Sequence, residues 1–124
     1  MPNLRKDYKL YLLDIESSCR KIIRYTKHID HVSFANNQML IDAVIRNLEI
    51  IGEAVNKVPP SIKQETKEIP WKDIVGLRNK VIHEYFEVDI PVIWKTVKED
   101  IPLLAKQVKK VLKELGSKQL KLKA

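Results

Sequence analysis

Residues 40–58, LIDAVIRNLEIIGEAVNKV, decide the fold, because apolar side chains recur there at Leu40, Val44, Leu48, Ile51, Val55 and Val58. Steps of three and four place these residues along one face of an α-helix and leave the polar residues on the others. Pro59-Pro60 ends the pattern, since proline has no N–H to donate and its ring obstructs the preceding turn. Gly52 lies inside the helix, where glycine costs about 1 kcal/mol relative to alanine. Close approach of another helix would explain its presence.

The same spacing extends towards the N-terminus. Leu4, Tyr8, Leu12, Ile15, Cys19, Ile22 and Ile23 predict a first helix from Leu4 to about Tyr25. Lys27-His28-Ile29-Asp30-His31 breaks the period and reads as a loop, with Ser33 as the expected N-cap of the helix that follows. Towards the C-terminus, Ser61–Lys67 suits a short helical turn, and Ile69-Pro70-Trp71 opens a helix running to His83 or Tyr85. Asp89-Ile90-Pro91 has the form of an N-cap with proline in the first turn. It starts a final helix to about Leu115, which Pro102 should kink or interrupt. The expectation is an all-α, antiparallel four- to five-helix bundle over residues 4–115, followed by a flexible basic tail at 116–124.

Composition agrees with that class. The 124 residues suffice for one domain with one core, and three glycines with few aromatics argue against a sandwich or barrel. Lysine and arginine outnumber aspartate and glutamate 23 to 16, a formal charge of +7. Such a balance favours anionic partners, nucleic acid foremost, or else lysines that simply solvate exposed helix faces. Cys19 is the single cysteine, so no intrachain disulfide forms and a buried, inert thiol in a reducing compartment is expected. The N-terminus lacks the apolar core of a signal peptide, and no apolar run has the length of a membrane span. The expectation is a soluble, cytoplasmic protein.

The chemistry concentrates in Arg78-Asn79-Lys80-Val81-Ile82-His83-Glu84-Tyr85, which reads R-N-x-x-x-H-x-Y. On a helix, residues five apart stand about 140° apart in azimuth, so Arg78 and His83 do not share a face. Asn79 and His83, four apart, do. Arg78 must therefore curl round or serve a neighbouring subunit, and a two-fold axis pairing two copies of the motif in one cleft would reconcile the three residues. These groups suit RNA cleavage without a metal. Imidazole exchanges protons near neutrality, guanidinium stabilises charge growing on phosphate oxygens, and Asn79 orients either the imidazole or the phosphate. Taken by itself the pattern also fits a histidine that caps a helix end.

Other candidates carry weaker chemistry. His28 and His31 flank Asp30 at a spacing that suits chelation, but no further ligand accompanies them. Trp71 and Trp94 read as core anchors rather than stacking platforms. Glu49 and Glu53, four apart, pair with Arg46 at the surface or else support the motif. Lys106, Lys109, Lys110, Lys113, Lys118, Lys121 and Lys123 give the last helix and tail an attraction for phosphate, or solvate its end.

The chain resembles the HepT-like HEPN proteins of prokaryotic toxin–antitoxin pairs. The likeness rests on Tyr11–Ile15 with Ile22–Thr26, on Ala43–Ala54, and on Ile69-Pro70-Trp71 through Arg78-Asn79, His83–Phe86, Val88-Asp89 and Val92-Ile93-Trp94. It runs from about residue 8 to 105. The resemblance implies a HEPN bundle that forms a homodimer, with two R-x-x-x-x-H motifs meeting at the interface. It implies a metal-independent endoribonuclease toxin without a cofactor, in which Arg78 and His83 match the catalytic pair and Asn79 the supporting polar residue. Glu53 is a candidate support behind them. Tyr85 matches the tyrosine that a cognate minimal nucleotidyltransferase antitoxin modifies with AMP, a change that would place negative charge beside the cleft and repel RNA. The motif shows no departure from the family pattern, whereas the basic tail leaves it. The resemblance also admits a non-catalytic HEPN scaffold that binds nucleotide or RNA and holds a nucleotidyltransferase.

Overall fold

The computed structural model describes the backbone of residues 4–81 and 89–123, and the side chains of residues 8–76 and 89–116. Among the described residues every regular element is helical: α1 (Leu4–Thr26), α2 (His31–Ala35), α3 (Gln38–Lys57), α4 (Pro60–Glu65), α5 (Trp71–Val81), α6 (Ile90–Lys95) and α7 (Ile101–Lys123). A π-helical turn, Thr96–Asp100, joins α6 to α7 without a break. Four rods therefore dominate, α1, α3, α5 and α6–α7, with α2 and α4 as short connectors. The all-α expectation holds. No described helix is long and apolar enough to cross a membrane.

Side-chain contacts set the directions of the rods. Lys57 Nζ, at the end of α3, lies 5.7 Å from the centroid of the Tyr11 ring near the start of α1. Lys98 Nζ, at the start of the last rod, donates to the Thr26 carbonyl at the end of α1 over 3.1 Å. Both neighbours of α1 thus run antiparallel to it. The core lies between these helices and contains Leu12, Ile15 and Ile22 from α1, Val44 and Val55 from α3, and Ile93, Val97 and Val108 from the last rod. Every one of them falls on the apolar stripe of its helix, so burial and periodicity describe the same face.

Three local expectations are corrected. Ser33 does not cap a helix. Asp30, extended at φ −92° and ψ 171°, accepts the Ser33 N–H at 2.7 Å and caps α2. His28, at φ 63°, turns the chain just before it. A cap needs an extended residue whose side-chain acceptor reaches forward, and the turn gave that geometry to the aspartate. The long helix that follows starts at Gln38, with Asn37 accepting the Leu40 N–H at 3.1 Å. The third correction is the end of α7. Its backbone continues past Gly116 to Lys123, because one glycine weakens a helix without forbidding it and the lysines, leucines and glutamine beyond are good helix formers.

Two other expectations stand. Asp89 accepts the Val92 N–H at 3.2 Å and caps α6, with proline in its first turn. Pro102 disturbs the last rod in a specific way. It offers no N–H to the Lys98 carbonyl and its ring crowds that oxygen. The turn before it widens, so that the Ile101 N–H donates to the Thr96 carbonyl five residues back.

Candidate active site

Helix α5 carries the first half of the motif, and its start is held firmly. Trp71 is buried, and its indole Nε1–H is shared between the Thr66 carbonyl and the Thr66 hydroxyl, each at 3.2 Å. That hydroxyl in turn donates to the Ile62 carbonyl at 2.6 Å. Asp73 places a carboxylate in the first turn, where the helix dipole favours it. Ile74 is buried and Val75 half-buried, and α5 packs on α3. Arg78 and Asn79 follow one turn after Ile74 and Val75, in the last turn described. Their side chains lie outside the described residues, as do His83 and Tyr85 altogether. The expected continuation of this helix to His83 or Tyr85 also falls on residues not described.

On the side towards α7, α5 leaves an open groove lined by Glu68, Asp73, Gly76, Asp100, Leu103 and Gln107. Gln107 Nε2 donates to the Glu68 carbonyl at 2.7 Å, while its Oε1 is buried without a partner among the described residues. The groove sets a direction as well. Gln107 meets Glu68 just before α5 begins, whereas Asp100, earlier in the rod, faces the groove with Gly76. Helix α5 therefore runs antiparallel to α7, and its last turn points to the end of the bundle where the last rod starts.

The chain re-enters at that end through α6. Trp94 stacks on His31 with ring centroids 5.7 Å apart and planes 12° apart. It also packs on Phe34 at 5.1 Å and carries Lys98 Nζ 4.7 Å from its centroid. Trp71 is the core anchor expected, whereas Trp94 is half-buried and stacks on exposed His31, so the core-anchor reading holds for it only in part. His28, Asp30 and His31 serve a turn, a cap and a stack respectively, and among the described residues no group of three His, Cys, Asp or Glu side chains is placed to hold a metal.

Helix α3 supplies the remaining candidates. Arg46 Nη1 lies 3.5 Å from Glu49 Oε2, an exposed i,i+3 pair of the kind expected. Glu53 is exposed and makes no ion pair among the described residues, while its neighbours Gly52 and Ala54 are buried. Sequence reasoning passed over Asn47. It is only 6% exposed, its Nδ2 donates to the Ala43 carbonyl at 2.9 Å, and its Oδ1 is buried with no hydrogen-bond partner among the described residues. An amide on the apolar stripe between Val44 and Ile51 was the available signal. Leaving such an acceptor unpaired costs about 1–3 kcal/mol.

Cys19 bears out its reading as an inert thiol. Burial, with the charge of Glu16 second, pushes its pKa from 9.0 up to about 12, so the nucleophilic thiolate is scarce at neutral pH.

Comparison with known proteins fixes the class. The family model for HepT-like ribonucleases matches residues 15–111. A protein of Methanocaldococcus jannaschii named by inference as an RNase is 44% identical over 114 residues, covering 92% of this chain and 98% of the relative. A second one from that organism, also named by inference as an RNase, is 46% identical over 104 residues, or 84% and 95% of the two chains. A Thermococcus cleftensis protein named by inference as ribonuclease HepT is 44% identical over 98 residues, or 79% and 89%. No solved structure matches the chain. The chain belongs to the HepT-like ribonuclease family, and its class is that of an endoribonuclease.

Proposed function

We propose that the chain is a metal-independent endoribonuclease toxin, held in check by a cognate minimal nucleotidyltransferase. The observation that carries this reading is the family match over residues 15–111, a span in which the R-N-x-x-x-H-x-Y pattern is complete. The 2′-oxygen of a ribose attacks the adjacent phosphorus and the bond to the 5′-oxygen breaks, leaving a cyclic phosphate and a free 5′-hydroxyl. His83 takes the proton from the 2′-hydroxyl, and an imidazolium returns one to the leaving oxygen. Arg78 stabilises the charge on the non-bridging oxygens. Asn79 orients the imidazole or the phosphate, and Glu53 supports the motif from α3.

The two proton-transfer roles are met by pairing two copies of the motif across a homodimer axis, which would also let Arg78 act where a continuous helix would set it about 140° from His83. Tyr85 is the control point, since an AMP group there adds negative charge beside the cleft. RNA incubated in chelator with the wild-type chain, Arg78→Ala and His83→Ala tests the reading. Wild type should cut and both variants should not; equal cleavage by all three overturns it. Intact RNA together with calorimetric binding of AMP would assign the chain to the scaffold reading instead. Light scattering reads the dimer, and peptide mass after co-expression with the nucleotidyltransferase reads Tyr85.

A further inference from the structure

The outer face of α1 carries more positive charge than a helix end requires. From Ser17 to Ile29 the sequence holds Arg20, Lys21, Arg24 and Lys27 and no acid. All four are exposed. Arg20, Arg24 and Lys27 are spaced by four and three, so they form one stripe, and with Ser17, Lys21 and Ile23 they line a shallow depression. The acid that engages the stripe is Glu16, 3.1 Å from Arg20 Nε. A cation in the last turn complements the helix dipole, and that effect fades within a turn. It accounts for Arg24 and Lys27 but not for Arg20 and Lys21. Like charges four apart repel by a few tenths of a kcal/mol, so the fold tolerates a repulsion that an anionic ligand would relieve. The guanidinium of Arg24 lies over the Tyr25 ring at 5.5 Å, an aromatic beside the cations.

The placement of the stripe names the ligand. Lys98 fixes the start of the last rod to the end of α1, and α5 runs towards that same end. The stripe therefore leads to the end of the bundle where Arg78 and Asn79 occupy the last described turn of α5 and where the chain returns through α6. We propose that Arg20, Arg24 and Lys27, with Lys21 at their flank, form a docking track for the phosphodiester backbone of single-stranded RNA and guide it to the motif. This rests on the ribonuclease reading for its substrate. Arginines on a groove that follows a strand grip successive phosphates without reading bases, so binding is salt-sensitive and sequence-tolerant.

The test measures polarisation of a labelled single-stranded RNA against salt, in a His83→Ala background that prevents cleavage. Arg20→Glu/Arg24→Glu/Lys27→Glu is compared with Lys57→Glu/Lys67→Glu/Lys72→Glu, which changes net charge equally on exposed sites at the other end of the bundle. The stripe variant should lose at least tenfold in affinity, and its log–log salt slope should fall by about 2, three contacts at roughly 0.7 each. The variant at the other end should keep most of both. Equal losses in the two variants, or an unchanged slope in the first, overturn the track, as does wild-type binding to no RNA at all. With His83 restored, the stripe variant should still cut a dinucleotide too short to reach α1. A chain that binds RNA through the stripe yet cuts nothing sinks the ribonuclease reading and leaves the track standing. Circular dichroism melting checks the fold. If the triple variant melts, Arg24→Gln/Lys27→Gln reads the same slope with a smaller change.

Discussion

Trp71 and Trp94 bracket the motif-bearing segment, and they are held in opposite ways. Trp71 is buried, its indole N–H satisfied twice by Thr66 and its ring capped at 5.8 Å by Lys63 Nζ. Trp94 is half-buried, and two of its partners, His31 and Lys98, are exposed. The entry to the motif is therefore part of the hydrophobic core, while the exit rests on a surface sandwich. Damage at Trp71 is damage to folding. Damage at Trp94 changes where the chain re-enters the bundle while leaving most of the core intact.

The largest effect expected from this contrast is on stability. Trp71→Ala should cost about 3–5 kcal/mol in urea unfolding, the range for emptying a buried aromatic site, and Trp94→Ala distinctly less. Equal losses would break the comparison. The buried side should also fail first in alkali. The thiol of Cys19 is held near 12 against 9.0 when free, so above pH 9 the unfolded chain ionises it more readily than the folded one. Stability should then fall by about 1.4 kcal/mol per pH unit until pH approaches 12. Cys19→Ala should flatten that alkaline limb, and the native thiol should ignore thiol reagents at pH 8 until the chain is unfolded.

Smaller effects sharpen the contrast. Asn47→Leu removes a buried acceptor that has no partner among the described residues and should raise stability by about 1 kcal/mol. A loss of stability in its melt would show that the amide is needed. Lys98→Met removes both the bond to the Thr26 carbonyl and the cation over Trp94. At an exposed site this should cost about 0.5–1 kcal/mol and alter the emission of Trp94 in a Trp71→Phe background. The smallest effect belongs to Asp30, which caps the helix on which Trp94 rests. The Ser33 backbone N–H, and then its side chain, hold the Asp30 carboxyl below its usual 3.8. Its contribution is present above that value and is lost as pH falls through the lower folded one. Trp94 emission in the same background should shift there, and Asp30→Asn should reduce the shift.

Much of this fold is legible in the residues. The stripes of α1, α3 and the last rod appear as steps of three and four because one face of each helix must leave water. Asp89-Ile90-Pro91 announces a helix start because cap and proline act within one turn. The cap at Asp30 was missed in favour of Ser33 because capping depends on backbone angles set by the turn at His28. The end of α7 was placed too early because a glycine is a cost rather than a stop. Residue types also single out Arg78, Asn79, His83 and Tyr85 as the candidate set for phosphate and proton chemistry, a reading that falls on side chains outside the described residues. They did not reveal Asn47, because an amide on an apolar stripe looks like tolerance until its oxygen is found buried and unpaired among the described residues.

The sequence by itself determined the helices, the family and the chemistry available to it, since periodicity, capping and motif spacing act over a few residues. Only the tertiary structure decided that α1, α5 and the last rod bring a cationic stripe and the motif helix to one end of the bundle. That follows from antiparallel packing of apolar faces and from Lys98 reaching the Thr26 carbonyl, a contact between residues 72 positions apart that no local pattern encodes.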